Sequence, residues 1–156
     1  MIKAGIWTAA FVTASDRLSK LMVLAIVMQP PRVIEITAFF NLVLVWNRGV
    51  SFGMLQSDSI WGPILLGVVT VGIIVLLFFW LREARTRLSV IALGLVIGGA
   101  LGNLIDRILH QAVVDFLDFH ISGYHWPAFN VADSAITIGV ICIIYESLFE
   151  RTKKSG

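Results

Sequence analysis

Four long apolar segments are the feature that most limits what this chain can fold into. They cover approximately residues 4–28, 60–81, 88–109 and 129–149, and the second contains no charged side chain. Each is close to the ~20 residues that a helix needs to cross a hydrocarbon core of ~30 Å. Because lipid cannot hydrogen-bond to exposed backbone groups, such segments are expected to be helical. The pattern predicts an all-α polytopic membrane protein with four transmembrane helices, in a single domain over residues 1–156.

The composition favours lipid over water as the solvent. Hydrophobic residues make up 58% of the 156 residues and charged residues only 14%, against about 45–50% and about 25% in soluble domains. A soluble domain of this size exposes too much surface to hide so many apolar side chains. The net charge is +2, and no basic stripe with interleaved aromatic residues indicates a nucleic-acid partner. The single cysteine, Cys142, is best explained as a small buried hydrophobic residue.

The first apolar segment has two interpretations. Lys3 followed by the apolar residues 4–15 is typical of a cleavable signal peptide. Apolar character resumes over residues 21–28, beyond the charged patch at residues 16–20, and this favours a retained helix.

Basic residues predict the orientation in the membrane. They lie at both ends of the chain and in the short link between the second and third segments: Lys3, Arg82, Arg85, Arg87, Arg151, Lys153 and Lys154. With four spans, these regions fall on the same side, which the distribution of Lys and Arg assigns to the cytoplasm. The links over residues 29–59 and 110–128 are then expected to face outward.

The first outer link has the character of a strand. Residues 33–46 alternate in part and are rich in Val, Ile, Thr and Phe, the residues that favour strands. Residues 47–49, Asn-Arg-Gly, are typical of a turn. The sequence therefore predicts a small extracytoplasmic β-sheet (a cradle) over about residues 32–56, between the first and second helices.

Ionisable residues gather near the outer ends of the predicted helices. Asp106 and Arg107 lie near the end of the third segment, Asp133 about one turn into the fourth, and Asp115 in the link between them. A charge within the bilayer costs at least ~2.5–3.5 kcal/mol, so such residues are rare and usually functional.

Structural roles account for some of these charges. Asp16 and Lys20 have the i, i+4 spacing of a helical ion pair, and Arg107 is placed to pair with an aspartate. Asn130 is a suitable N-cap for the fourth helix, with Asp133 at the third helical position, where a carboxylate favours the helix dipole. That capping role alone would account for Asp133.

Two carboxylates at a wet, partly apolar boundary can also perform hydrolysis. If they approach closely they cannot both ionise easily, so one keeps a proton while the other acts as a base towards water. A metal site is less consistent with the sequence, because the spacing of His110, His120 and His125 matches no zinc signature. We therefore expect no metal and no cofactor. The glycine-rich residues 97–102 indicate close helix packing.

Five motifs in order make the sequence resemble the lipoprotein signal peptidase (signal peptidase II) family. They are DRLSK at 16–20, NRGVSFG at 47–53, GALGNLIDR at 99–107, VVDF at 113–116 and FNVADS at 129–134. The chain departs from the pattern at Val50 and Ser51, where members of the family often carry Ala. The resemblance covers nearly the whole chain and implies that the first helix is retained.

The resemblance implies roles for individual residues. Asp115 and Asp133 would be the catalytic pair, and Asp16 and Lys20 would be structural polar residues of the first helix. A further set would support the site or bind substrate: Asn47, Gly49, Asn103, Asp106, Arg107, Asn130 and Ala132.

The resemblance also implies an activity. The chain would be an aspartyl endopeptidase of the bacterial inner membrane that removes signal peptides from prolipoproteins, cutting before the diacylglyceryl-modified cysteine. It would contact membrane lipid, act as a monomer, keep both termini in the cytoplasm and place its active site at the periplasmic face.

Two other functions remain open from the residues themselves. A small proton-coupled membrane transporter would use the same carboxylates, but it favours acids spread through the bilayer, whereas these cluster at one face. A non-catalytic subunit of a membrane complex would use the glycine-rich third helix for packing.

Overall fold

The computed structural model describes residues 1–49 and 61–154. In chain order the elements are α1 (Ile2–Met22), β1 (Ile34–Thr37), β2 (Phe40–Asn47), α2 (Trp61–Glu83), α3 (Arg87–His110), β3 (Val113–Ile121), β4 (Tyr124–His125) and α4 (Val131–Lys154). A π-helical turn over Val23–Val27 extends α1. Residues 50–56 of the predicted sheet region, and the first residue of the predicted second helix, lie outside the described residues.

Glycines of α3 set its close approach to α1. A Cβ at Gly94 would lie 2.6 Å from the carbonyl oxygen of Gly5, and one at Gly98 would lie 2.6 Å from that of Ala9. Larger side chains would force the two backbones apart. Since residue numbers rise together along the contact, α1 and α3 run parallel, and the expected packing role of residues 97–102 is confirmed.

Glycines also allow α3 and α4 to pack closely. A Cβ at Gly99 would overlap the carbonyl oxygen of Ala132, and one at Gly139 would lie 2.7 Å from that of Ala92. The two helices are therefore antiparallel. The start of α4 lies beside the outer part of α3, which is the part that carries the predicted site residues.

Three helices of the described chain are long and apolar enough to cross a membrane: Gly62–Glu83, Arg87–His110 and Val131–Leu148. They correspond to three of the four predicted segments. The first segment is also a helix, but its charged turn at residues 16–20 sets α1 apart from these three. Leu81, Val90 and Ile97 form a buried cluster with α1, so α2 and α3 pack on either side of a common core.

The sheet is larger than the sequence predicted. Its order is β1-β2-β3-β4 with antiparallel pairing, so half of the strands come from residues 110–128, which the sequence analysis treated only as a link. The residues Val113–Ile121 are mostly β-branched, aromatic or aliphatic, a composition that suits a half-buried strand. The predicted sheet between the first two helices is present, but it is completed by the second outer link.

The fourth helix begins two residues later than predicted. Phe129 forms a β-bridge with Leu117, which holds its backbone in an extended conformation, and Asn130 precedes the first helical residue, Val131. The sheet docks on the helices through a second buried cluster of Val23, Met28, Val114 and Phe116. The start of β3 is thereby fixed beside the start of α4.

Candidate active site

Strand register places Asp115 beside Asn47. Asp115 pairs with Val45 across β2 and β3, and side chains two residues apart on a strand share a face. The Nδ2 of Asn47 donates to Asp115 Oδ2 at 2.8 Å, and the Nδ2 of Asn130 donates to Asp115 Oδ1 at 2.7 Å. The Asp115 residue is only 1% exposed, so these amides replace water around its carboxyl group.

Gly49 orients the Asn47 amide. Its N–H donates to Asn47 Oδ1 at 2.8 Å, which leaves the Nδ2 of Asn47 directed at Asp115. Gly49 has φ of 90°, a backbone conformation in the left-handed half of φ space that glycine adopts without strain. A Cβ at this position would also overlap the side chain of Leu66 in α2, so both geometry and space require glycine.

Asp133 is held at the start of α4 by a reciprocal cap. Its N–H donates to Asn130 Oδ1 at 2.9 Å, and the N–H of Asn130 donates to Asp133 Oδ2 at 3.2 Å. This is the geometry of a capping box, and it confirms the predicted N-cap at Asn130. The same Asn130 side chain donates to Asp115, so one residue bonds to both carboxylates.

Asn103 extends this connection into the helices. Its Nδ2 donates to Asp133 Oδ1 at 2.8 Å. Its Oδ1 accepts hydrogen bonds from Lys20 Nζ at 3.1 Å and from Asn130 Nδ2 at 3.2 Å. Because the amide nitrogen of Asn103 donates and its amide oxygen accepts, these neighbours fix the orientation of the side chain.

A buried ionic cluster lies behind the two aspartates. The Nζ of Lys20 is 2.8 Å from Asp16 Oδ2 and 2.8 Å from Asp106 Oδ2, and all three side chains are fully buried. Arg17 Nη1 lies 2.7 Å from Asp106 Oδ1. The predicted pairing of Asp16 with Lys20 is confirmed. Two cations and two carboxylates balance, as buried charges require.

The two carboxylates of this cluster hold the backbone next to Asp115 and Asp133. Asp106 Oδ2 accepts a hydrogen bond from the N–H of Val114 at 3.1 Å, and Asp16 Oδ1 accepts one from the N–H of Ala132 at 2.9 Å. Val114 directly precedes Asp115, and Ala132 directly precedes Asp133. The ionic cluster therefore fixes the backbone from which each carboxylate projects.

Arg107 does not form the aspartate pair that the sequence analysis considered. Asp106 is occupied by Arg17 and Lys20, and Arg107 makes no ion pair among residues 1–49 and 61–154. Its Nη1 instead donates to the carbonyl oxygen of Asn103 at 3.4 Å. It lines a cavity of about 430 Å³ between α2 and α3, and it interacts electrostatically with Asp133 and Asp115.

Burial raises the pKa of Asp115 to about 6, and the charge of Asp133 also raises it. Hydrogen bonds from Asn47 and Asn130 act in the opposite direction but are outweighed by the removal of water. Asp133, by comparison, is half-buried. The site therefore combines one strongly desolvated carboxyl with one that is more accessible.

A family model described as signal peptidase (SPase) II matches residues 8–149. The chain belongs to the signal peptidase II family. A lipoprotein signal peptidase from Nitrobacter hamburgensis is 44% identical over 97% of this chain and 94% of that protein. One from Rhodopseudomonas palustris is 41% identical over 94% of this chain and 93% of its own length.

Solved structures agree with this assignment. A structure described as a bacterial membrane enzyme superposes with a TM-score of 0.84 at 34% identity, covering 99% of this chain and 93% of the other. A second, described in the same words, gives a TM-score of 0.82 at 35% identity. Membership of the signal peptidase II family makes the chain a protease with membrane helices, and it gives no support to the transporter alternative.

The fold brings together most of the residues that resemblance to signal peptidase II singled out. One connected set of hydrogen bonds and ion pairs joins both aspartates to their expected neighbours: Asp16, Lys20, Asn47, Asn103, Asp106, Asn130 and Ala132. Gly49 joins it through Asn47, and Arg107 through the Asn103 backbone.

One polar group on the sheet of this signal peptidase II chain was not predicted from the sequence. Asn41 Nδ2 donates to Asp118 Oδ2 at 3.1 Å, and His125 Nδ1 lies 2.9 Å from the same carboxylate. Burial acts to raise the pKa of Asp118, but the hydrogen bonds from His125 and Asn41 lower it below its ordinary value. Asn41 and Asp118 are brought together by the pairing of β2 with β3. Because β3 was not predicted, this group could not be predicted either.

Proposed function

We propose that this protein is an aspartyl endopeptidase in which Asp115 and Asp133 form the catalytic pair. The observation that carries the proposal is the position of Asn130. Its side-chain amide donates to Asp115 at 2.7 Å, while its backbone N–H donates to Asp133 at 3.2 Å. The two carboxylates come from different elements and share one small residue as a neighbour, and in our proposal they act together on one water molecule.

The environments of the two aspartates suggest different roles. Asp115 is buried, and its pKa is raised to about 6, so in our proposal it retains the shared proton. Asp133 occupies the third helical position of α4, where the helix dipole favours a negative charge, and in our proposal it is the base. In our proposal the two carboxylates hold one proton between them, and this assignment describes the form that is active.

The proposed reaction follows from these roles. Asp133 accepts a proton from water as the water oxygen bonds to the scissile carbonyl carbon, and Asp115 gives its proton to the carbonyl oxygen. The resulting tetrahedral diol breaks its C–N bond. Asp133 gives the proton that it took from water to the leaving nitrogen, and one hydroxyl proton of the diol passes to Asp115. A carboxylic acid and an amine are released, and both aspartates return to their starting forms. No covalent enzyme intermediate is needed.

We infer the substrate from the family. The relatives above are named lipoprotein signal peptidases, and we propose that this chain likewise removes signal peptides from prolipoproteins. The cut would fall before the diacylglyceryl-modified cysteine. A substrate held in the membrane by a hydrophobic helix and by acyl chains presents that bond near the interface, which is where a membrane enzyme with a site at the helix ends can reach it.

We propose that α1 is a fourth transmembrane helix. It runs alongside α3, and its charged side chains bond to Asn103, Asp106 and the start of α4, so they are satisfied within the protein. Both termini would then be cytoplasmic, with the catalytic pair and the sheet on the periplasmic side of the inner membrane. All the proposed catalytic groups lie on one chain in one domain, which is consistent with a monomer.

Substitution of each aspartate tests the proposal. Asp115→Asn and Asp133→Asn should each lower cleavage of a purified diacylglyceryl-modified precursor by at least about a thousandfold, with the folded state retained. Asp118→Asn is a matched control, because Asp118 lies on the same strand and is also buried. Substantial turnover by either variant, or an equal loss in Asp118→Asn, would overturn the assignment. Cleavage is followed by gel shift, and folding by thermal unfolding in detergent.

A further inference from the structure

The end of the helix bundle opposite the aspartates carries a second cavity. It has a volume of about 520 Å³ and lies between the first turn of α1 and the first turn of α3. Two cationic side chains, Lys3 and Arg87, line it together with Met1, Ala4, Val90 and Ile91. Nothing in the proposed peptidase chemistry uses these residues.

The two cations at this cavity have no carboxylate partner among the described residues. Elsewhere in the bundle, Arg17 and Lys20 each contact a carboxylate at 2.8 Å or less. Lys3 and Arg87 are exposed and form no ion pair in the part of the chain that the structure describes. Two like charges directed to one cavity repel each other unless an anion lies between them.

We propose that this cavity binds the headgroup of an anionic phospholipid. The phosphate would lie between the ammonium of Lys3 and the guanidinium of Arg87, whose fork of donors suits phosphate oxygens. The glycerol and acyl chains would lie on Ala4 and Ile91. Basic pockets between membrane helices at the headgroup level are recurrent sites for such lipids.

The charge pattern favours an anionic lipid over a zwitterionic one. A zwitterionic headgroup would bring its own cation beside Lys3 and Arg87, which offsets much of the attraction. Free phosphate would meet the same cations, but it would leave the apolar wall formed by Ala4, Val90 and Ile91 without a partner. The proposal is independent of the peptidase mechanism, because the cavity lies at the far end of α3 from Asn103 and Asp106.

Lipid binding can be measured by native mass spectrometry on the full chain in neutral detergent. Phosphatidylglycerol is titrated against wild type and against Lys3→Gln/Arg87→Gln. Each cation near a lipid phosphate contributes about 1 kcal/mol, so the double substitution should weaken the affinity of the tightest site roughly 30-fold. Lys3→Arg/Arg87→Lys should retain binding, which separates loss of charge from loss of fold.

Arg82→Gln/Arg85→Gln is the matched control, because these two residues lie at the same end of the bundle but do not line the cavity. Its affinity should remain within about twofold of wild type. An equal loss in the control would show only a general charge effect. Equal binding of phosphatidylcholine, or displacement of the lipid by millimolar inorganic phosphate, would also overturn the proposal.

Discussion

Two neighbouring helices of similar length, α2 and α3, use apolar residues in different ways. In α2, only 6% of the apolar stretch is buried within the protein, whereas in α3 the share is 61%. The α2 segment has no ionisable residue between Trp61 and Leu81, while α3 carries Asn103 and Asp106. Apolar character therefore predicts a membrane span, but only small and polar residues reveal which span forms the interior.

The largest effect that this comparison predicts is at Lys20, which faces α3. Lys20→Met leaves Asp16 and Asp106 buried without their shared cation. Removal of one partner from a buried ionic group costs about 3–5 kcal/mol. The variant should therefore unfold at a much lower temperature and lose cleavage activity, as measured by thermal unfolding in detergent and by precursor cleavage.

The control lies at the end of α2. Arg82 is exposed, and substitutions at such positions usually change stability by no more than about 0.5 kcal/mol. Arg82→Met should thus unfold close to wild type. If Lys20→Met proved as stable as Arg82→Met, the buried ionic cluster would have no structural role and the contrast between the two helices would be lost.

Glycines provide the second test. A Cβ at Gly98 in α3 would lie 2.6 Å from the carbonyl oxygen of Ala9, whereas one at Gly72 in α2 meets no atom of the described residues within 4 Å. Gly98→Ala should lower the free energy of unfolding by about 1–3 kcal/mol, since the atom it meets is backbone. Gly72→Ala should be neutral or slightly stabilising, because alanine favours helix. Equal unfolding temperatures for the two variants would contradict this.

A third test compares polar side chains on the two helices. Asn103→Ala removes the hydrogen bond to Asp133 and the acceptor for Lys20. A hydrogen bond to a charged group contributes about 1.5–3 kcal/mol, so activity should fall about 10–100-fold. The hydroxyl of Thr70 in α2 donates to the carbonyl oxygen of Leu66 in its own helix, so Thr70→Ala should keep full activity. If kcat fell as much in Thr70→Ala as in Asn103→Ala, the proposed difference between the polar side chains of α2 and α3 would be contradicted.

The sequence predicted local features of this molecule well. The helices α2, α3 and α4 follow from apolar length alone, and the Asp16–Lys20 pair and the Asn130 cap follow from spacing within one element. The two carboxylates of the candidate site were identified through the motifs that carry the family resemblance. Each of these inferences depends on residues that are near one another in the chain.

Contacts between distant elements were harder to predict. Arg17, not Arg107, pairs with Asp106, because the choice depends on how α1 is rotated against α3. The strand β3 was not expected, since its pairing with β2 supplies the evidence for it. The contact of Asp16 with the N–H of Ala132 spans more than a hundred residues, and no spacing rule reports it.

The last prediction concerns pH and the two aspartates of β3, Asp115 and Asp118. If Asp115, with its pKa raised to about 6, must carry a proton, activity requires pH below that value. In the free enzyme kcat/KM should then fall about tenfold per pH unit above about pH 6. Asp118 has a lowered pKa and stays ionised over this range, so Asp118→Asn should keep the same profile. A profile flat to pH 8 would show that Asp115 does not act as the acid.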